Sequence, residues 1–184
     1  MLTTAPTFDH LYRLFPDVSD RPSAVPIPPE DVPQPYHQLL VHTHHMTVTV
    51  EAFYQSPVDV KVLACRRNAD EYARKILLTT KTDSRVVQFG LVRIDLGVCS
   101  DAVREAIVEG KTPLGRVLIE HDMLRRIEPL TFLRVRLSAK MANWFGVPAG
   151  SETYGRVGVI YTGEQPAVEV LEILAPIIGE SPHW

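Results

Sequence analysis

Two charged residues stand where strand alternation calls for apolar ones. In Tyr72-Ala-Arg-Lys-Ile-Leu-Leu a period of two groups Arg74 with Tyr72, Ile76 and Leu78 and puts Lys75 on the opposite face. In Ala167-Val-Glu-Val-Leu-Glu-Ile-Leu the same count groups Glu172 with Val168, Val170 and Leu174, and puts Glu169 on the other side. A charge on an apolar face is costly unless something pairs with it, so Arg74 and Glu172 are expected to point inward. Two accounts fit that placement. In one they form a buried ion pair or meet backbone groups; in the other they belong to a polar, charged pocket for an anionic ligand. A third feature is Lys111-Thr-Pro-Leu-Gly-Arg-Val-Leu, in which Thr112 can cap a helix, Pro113 suits its first position, and Leu114, Val117 and Leu118 form an apolar stripe. The orphan N–H groups and dipole of such a first turn can hold a carboxylate, and Gly115 would let a ligand approach the backbone.

The elements that must position these residues are mainly strands. Period-two runs occur at 46–52, 58–64, 71–80, 85–95, 131–138, 155–162 and 166–174; in the first of them Met46, Val48, Val50 and Ala52 share a face, which predicts a half-buried strand. Helices are expected from Ser100 or Asp101 to Gly110, from Thr112-Pro113 onward, and over about 35–42. Eight of the fifteen prolines precede position 36, so 16–35 cannot hold a regular helix or an interior strand and reads as an extended arm. Phe8, Leu11, Tyr12 and Phe15, at helical spacing, are expected to pin that arm to the body. The reading is an α+β chain: arm 1–35, one domain 36–178, and a tail 179–184.

The 184 residues, 45% hydrophobic and 22% charged, suffice for one sizeable core. A net charge of -3 and a pI near 6.2 give no basic field for nucleic acid or anionic lipid. No apolar run reaches the length of a spanning helix, and no charged head precedes an apolar signal core, so a cytoplasmic protein without membrane partners is expected. Cys65 and Cys99 are too far apart for a redox pair and are expected to be reduced core thiols. His42-Thr-His44-His45 offers paired imidazoles, but no Cys or carboxylate motif of ligand spacing accompanies it. It is read as a helix end, where cationic histidine meets the dipole favourably, with no metal expected. Neither a GxSxG elbow, a GxGxxG run nor a P-loop is present, which removes the serine hydrolase and nucleotide readings.

Taken in order, these segments resemble the chorismate pyruvate-lyase family. Met46-Thr47 follows the first core helix, Tyr-Ala-Arg74-Lys-Ile-Leu-Leu resembles the strand bearing that family's ligand-binding arginine, and Lys-Thr-Pro-Leu114-Gly-Arg resembles its most specific motif. Gly163-Glu-Gln-Pro resembles the turn into its final strand, and the resemblance spans roughly residues 36–176. It implies a single antiparallel sheet of about six strands with helices packed on it and a ligand enclosed between them. It also implies a monomer that eliminates pyruvate from chorismate to give 4-hydroxybenzoate. In that scheme Arg74 holds a carboxylate, Glu172 meets the ring hydroxyl, and the main chains of Met46 and Leu114, with Gly115, line the pocket.

Losing the enolpyruvyl ether and one ring hydrogen turns a cyclohexadiene into an aromatic phenol, and aromatisation drives the step. No cofactor or metal is required; the site must bind two carboxylates, exclude water and stabilise charge as the ether oxygen departs. Glu172 would act as hydroxyl acceptor or as base for the adjacent ring proton, and Arg93, Arg116 and Arg156 are the candidates for the second carboxylate. Two rivals stand beside this reading. One is a lyase giving another hydroxybenzoate. The other is a non-catalytic aromatic-carboxylate binding module, because a related fold serves as the effector-sensing half of some bacterial transcription regulators. The shortness of the arm, too small for a winged DNA-binding domain, favours the enzyme.

Overall fold

Residues 2, 5–123 and 126–177 are described in the computed structural model. In chain order the elements are α1 (Phe8–Tyr12), β1 (Ser23–Ile27), α2 (Tyr36–Leu40), α3 (Met46–Tyr54), β2 (Val58–Asn68), β3 (Glu71–Thr80) and β4 (Val86–Asp95). Then follow α4 (Asp101–Glu109), α5 (Leu114–Glu120), β5 (Arg126–Arg136), α6 (Ala139–Phe145), β6 (Glu152–Thr162) and β7 (Gln165–Leu174). The strands form one sheet in the order β1-β5-β6-β7-β4-β3-β2, antiparallel at every pairing. The expected α+β class and single antiparallel sheet are observed, with seven strands instead of about six.

The extra strand comes from the proline-rich segment. β1 pairs with β5, Ser23 opposite Arg136 and Ile27 opposite Phe132, at the outer edge, where Pro26 interrupts no interior ladder. The other correction is at 46–52, which is helical. Met46, Thr47, Val50 and Phe53 are buried at helical spacing, while Val48 is 48% exposed. Alternating β-branched residues mimic a strand over so short a run, and burial against α2 and α5 decides the outcome. α4 follows expectation: Ser100 Oγ accepts from Val103 N, and Gly110 ends the helix at φ 70°. At α5 Pro113 itself is the cap residue, and Thr112 makes no capping bond there.

The sheet has two covered faces. On one, Ile76, Leu78, Val92, Val170 and Leu174 lie beneath α2 to α5, in two apolar clusters, with Arg74 among them on the same face. On the other, Leu77, Phe89, Leu91, Leu171 and Ile173 pack with Leu11, Tyr12 and Phe15 of the α1 region and with Met141 and Phe145 of α6. Charges are buried on this second face as well. Lys75 Nζ binds Asp20 at 2.7 and 2.8 Å and the Asp17 carbonyl at 2.7 Å, and Arg93 lies between Glu71 (2.6 Å) and Glu169 (3.3 Å). The segment before β1 is thereby tied to the sheet by ion pairs as well as by its aromatics. Cys65 is exposed on the edge strand β2 and Cys99 is half-buried; both are free, which corrects the expectation of two core thiols.

Removing one member of a buried pair strands the other charge. Asp20→Ala is expected to lower the unfolding free energy by about 3–5 kcal/mol in urea titrations. A loss below about 1 kcal/mol would show that the Lys75 ammonium is solvated and that the pair does not hold the segment.

Candidate functional site

Sheet register brings the inward residues of four strands onto one floor. Arg74 stands opposite Val92, Ile76 opposite Gly90, and Leu78 opposite Gln88 across β3 and β4. Across β4 and β7 Gly90 faces Glu172, and across β7 and β6 Glu172 faces Arg156. Gly90 keeps the centre of this floor flat, since a Cβ there would lie 3.1 Å from the Ile76 Cδ1 atom. Gly155 lets β6 close on β7 beside Glu172, where a Cβ would come within 2.5 Å of the Glu172 carbonyl oxygen. The roof consists of His45, Met46 and Thr47 at the start of α3 and Pro113, Leu114 and Gly115 at the start of α5.

All five residues singled out from the sequence, Met46, Arg74, Leu114, Gly115 and Glu172, line this one cavity. The free volume it encloses is about 50 Å³, below the size class of small-molecule sites, so a ring-sized ligand must part the roof from the floor to be enclosed. Its walls are largely apolar, from Ile76, Val92, Ile127, Ile160 and Val170 among others, with a few convergent polar groups.

The ion pair between Arg74 and Glu172 does not form. Strand β4 separates the two, and they stand two residues out of register. Glu172 Oε2 instead accepts from Arg156 Nε at 2.7 Å. Arg156, 2% exposed, also donates from Nη1 to the carbonyls of Leu40 (2.9 Å) and His42 (3.0 Å), and more weakly from Nη2 to that of His44 (3.5 Å). Arg74, 1% exposed, reaches the Ile107 carbonyl at a long 3.4 Å, and its Nε has no hydrogen-bond partner among the described residues. Burial depresses its pKa and the neighbouring Tyr72 partly offsets this, yet a guanidinium stays charged. Glu172 and Arg156 neutralise one another, so Arg74 supplies the net charge of the cavity lining.

Of the three arginines considered for a second carboxylate, Arg156 alone lines the cavity, and it is already engaged. Arg93 serves the opposite face, and Arg116 pairs with Glu51 at 2.6 Å. The expected role of Gly115 also changes: a Cβ there would meet Thr47 Oγ1 at 2.8 Å and His45 Nδ1 at 3.3 Å, so the missing side chain lets α5 pack against the start of α3. Gln88, buried in the floor, was missed; applied to β4, the alternation that marks Arg74 groups Gln88 with Val86, Gly90 and Val92. Nothing in the sequence distinguished His45 from its neighbours.

His42 and His45 are neutral where a cationic helix end was expected. His42 Nε2 lies 2.7 Å from the Leu39 carbonyl and its Nδ1 accepts from His44 N at 3.1 Å, a set that suits the neutral ring. Burial first and the nearby Arg156 charge second push the His42 pKa down to about 4. Among the described residues no group of three or more His, Cys, Asp or Glu is placed to hold a metal ion, and no helix is long and apolar enough to cross a membrane.

No protein-family model matches the sequence, and no curated protein matches it. Solved structures do. The chain is similar to PhnF from Mycobacterium smegmatis at 13% identity and TM-score 0.56, over 73% of this chain and 65% of that one. It is similar to the effector domain of PhnF at 13% identity and TM-score 0.57, over 72% and 88%. A ligand-binding domain of a putative GntR-family transcriptional regulator from Bordetella bronchiseptica aligns at 16% identity and TM-score 0.51, over 67% and 87%. The fold is therefore that of the C-terminal domain of GntR-family regulators, which is the chorismate lyase-like fold.

Between about pH 6.5 and about pH 4 the unfolded chain takes up a proton on His42 that the folded protein refuses. Stability contributed by the neutral ring is thus complete above pH 6.5 and declines as pH falls through that window. In denaturant titrations across this range, wild type should lose stability more steeply than His42→Gln; parallel curves would mean that the ring is protonated in the folded state.

Proposed function

We propose that the cavity binds chorismate and eliminates pyruvate from it to leave 4-hydroxybenzoate, without a cofactor. The observation that carries the reading is a fully buried guanidinium, Arg74, with an unpartnered Nε in a largely apolar cavity that also holds a carboxylate, Glu172. An uncompensated buried charge is costly, and an anionic ligand relieves it. Arginine offers a planar fork for a carboxylate, which a lysine cannot copy. The Lys-Thr-Pro-Leu-Gly-Arg run supports the same assignment, since Leu114 and Gly115 form part of the roof.

In this reading the ring carboxylate rests on Arg74. Glu172 is held by Arg156 through Oε2, which leaves Oε1 for the ring hydroxyl or for the proton on the carbon beside the ether. As the C–O bond to the enolpyruvyl group breaks, the ether oxygen carries off the bonding electrons. The ring proton leaves, its C–H electrons complete the aromatic ring, and the enol product becomes pyruvate. Apolar walls exclude water and strengthen each charge interaction.

A second reading is favoured by the fold comparisons, in which similar chains are described as effector or ligand-binding domains. There the same cavity senses an aromatic carboxylate and does no chemistry. A coupled assay for pyruvate with chromatography of the aromatic product separates these readings. Pyruvate with 4-hydroxybenzoate is the expected result, pyruvate with another hydroxybenzoate would change the product, and saturable binding without turnover would establish the sensor. In the folded variants Arg74→Ala and Glu172→Gln, turnover should fall at least about a hundredfold, equivalent to about 3 kcal/mol of transition-state stabilisation; near-normal turnover would remove that residue from the site.

A further inference from the structure

The Nε of Arg74 is not alone in lacking a partner. His45 Nε2 and Gln88 Oε1 are also buried without a hydrogen-bond partner among the described residues, and both side chains line the same cavity. His45 is 8% exposed and Gln88 4%. Gln88 stands between Leu78 and Leu174 on the floor, where its neighbours across the strands offer its amide nothing. An apolar residue of similar shape would serve packing better at either position, so the polar groups call for a partner that the protein does not supply.

The other polar side chains of the cavity lining are Thr47, Arg74, Arg156 and Glu172. Thr47 is packed close to Gly115, Arg156 is engaged with Glu172 and the carbonyls beside it, and Arg74 and Glu172 are taken by the ring carboxylate and hydroxyl in the reading above. We infer that His45 and Gln88 form a second, uncharged subsite that receives the oxygen atoms of the enolpyruvyl side chain. This rests on the cavity being the chorismate site. Burial and the Arg156 charge hold the His45 pKa below the usual histidine range, so the ring is neutral at pH 7 and can give one donor from Nε2, while the Gln88 amide, turned over so that its Nε2 takes the place of the unpartnered Oε1, gives two. The subsite thus meets the side chain with neutral hydrogen bonds and no second cation.

The variants that test this are Gln88→Met and His45→Leu, with His45→Gln as a conservative control that keeps a donor near the Nε2 position. Expected are melting temperatures of the free protein equal to or above wild type. With them, kcat/KM for chorismate should fall at least about tenfold, or about 1.4 kcal/mol, while the calorimetric Kd for 4-hydroxybenzoate, which lacks the side chain, stays within about threefold. His45→Gln should recover most of the loss. If wild type binds chorismate without turning it over, the lyase reading fails and its calorimetric Kd for chorismate replaces kcat/KM in the same comparison. Equal losses for both ligands, unchanged chorismate constants, or a lower melting temperature in both apolar variants would each overturn the subsite. Wild-type protein that binds neither ligand would overturn the proposed function and this inference with it.

Discussion

The buried guanidinium of Arg156 determines most of what the cavity can be. A charge so far from water must be compensated by partners with good geometry. Here those partners are one carboxylate on the neighbouring strand and carbonyls from the last residue of α2 and the short segment that follows it. The same side chain therefore fixes Glu172 on the floor and draws the chain that leads into α3 down over the sheet. His45 and Met46 reach the roof because that segment is held. It also follows that Arg156 is spent on structure, and the positive character of the cavity passes to Arg74.

The long strands were legible in the sequence because alternation over ten or eleven residues leaves little choice of face. Arg74 and Glu172 point inward as read, and Lys75 and Glu169 fall on the opposite side. That this opposite side is also buried was not legible, since it depends on the α1 region folding back over it. Alternation assigns faces but not neighbours. The partner of Glu172 follows from the order β6-β7-β4, which a single sequence does not display. Arg156 was hard to rank for a local reason: its same-face neighbours are Tyr154 and Gly158, so it does not stand out against an apolar row. The start of α3 was misread because Met46 to Ala52 satisfies both periods, and only burial against α2 and α5 separates them. β1 was hidden among prolines, which an edge strand tolerates.

Sharing a fold with regulator domains establishes the frame and leaves the chemistry to the side chains placed on it. A site between sheet and helices can hold an anion and stop there, or it can add a group that takes a proton and a wall that excludes water. The difference between sensor and catalyst in such a frame is a matter of a few side chains on otherwise equivalent strands. Here the floor contributes both a cation without a counter-charge and a positioned carboxylate.

Strand β7 carries a glutamate on each face, Glu169 toward Arg93 and Glu172 toward Arg156. A slip of one residue in its pairing would exchange the faces and take both carboxylates from their arginines at once, besides turning its apolar side chains over. The two ion pairs work as a two-key lock on register. An inserted or deleted residue within β7 is consequently far less tolerable than one in the turn before it, and the electrostatics of the cavity are proofread by a contact on the far side of the sheet.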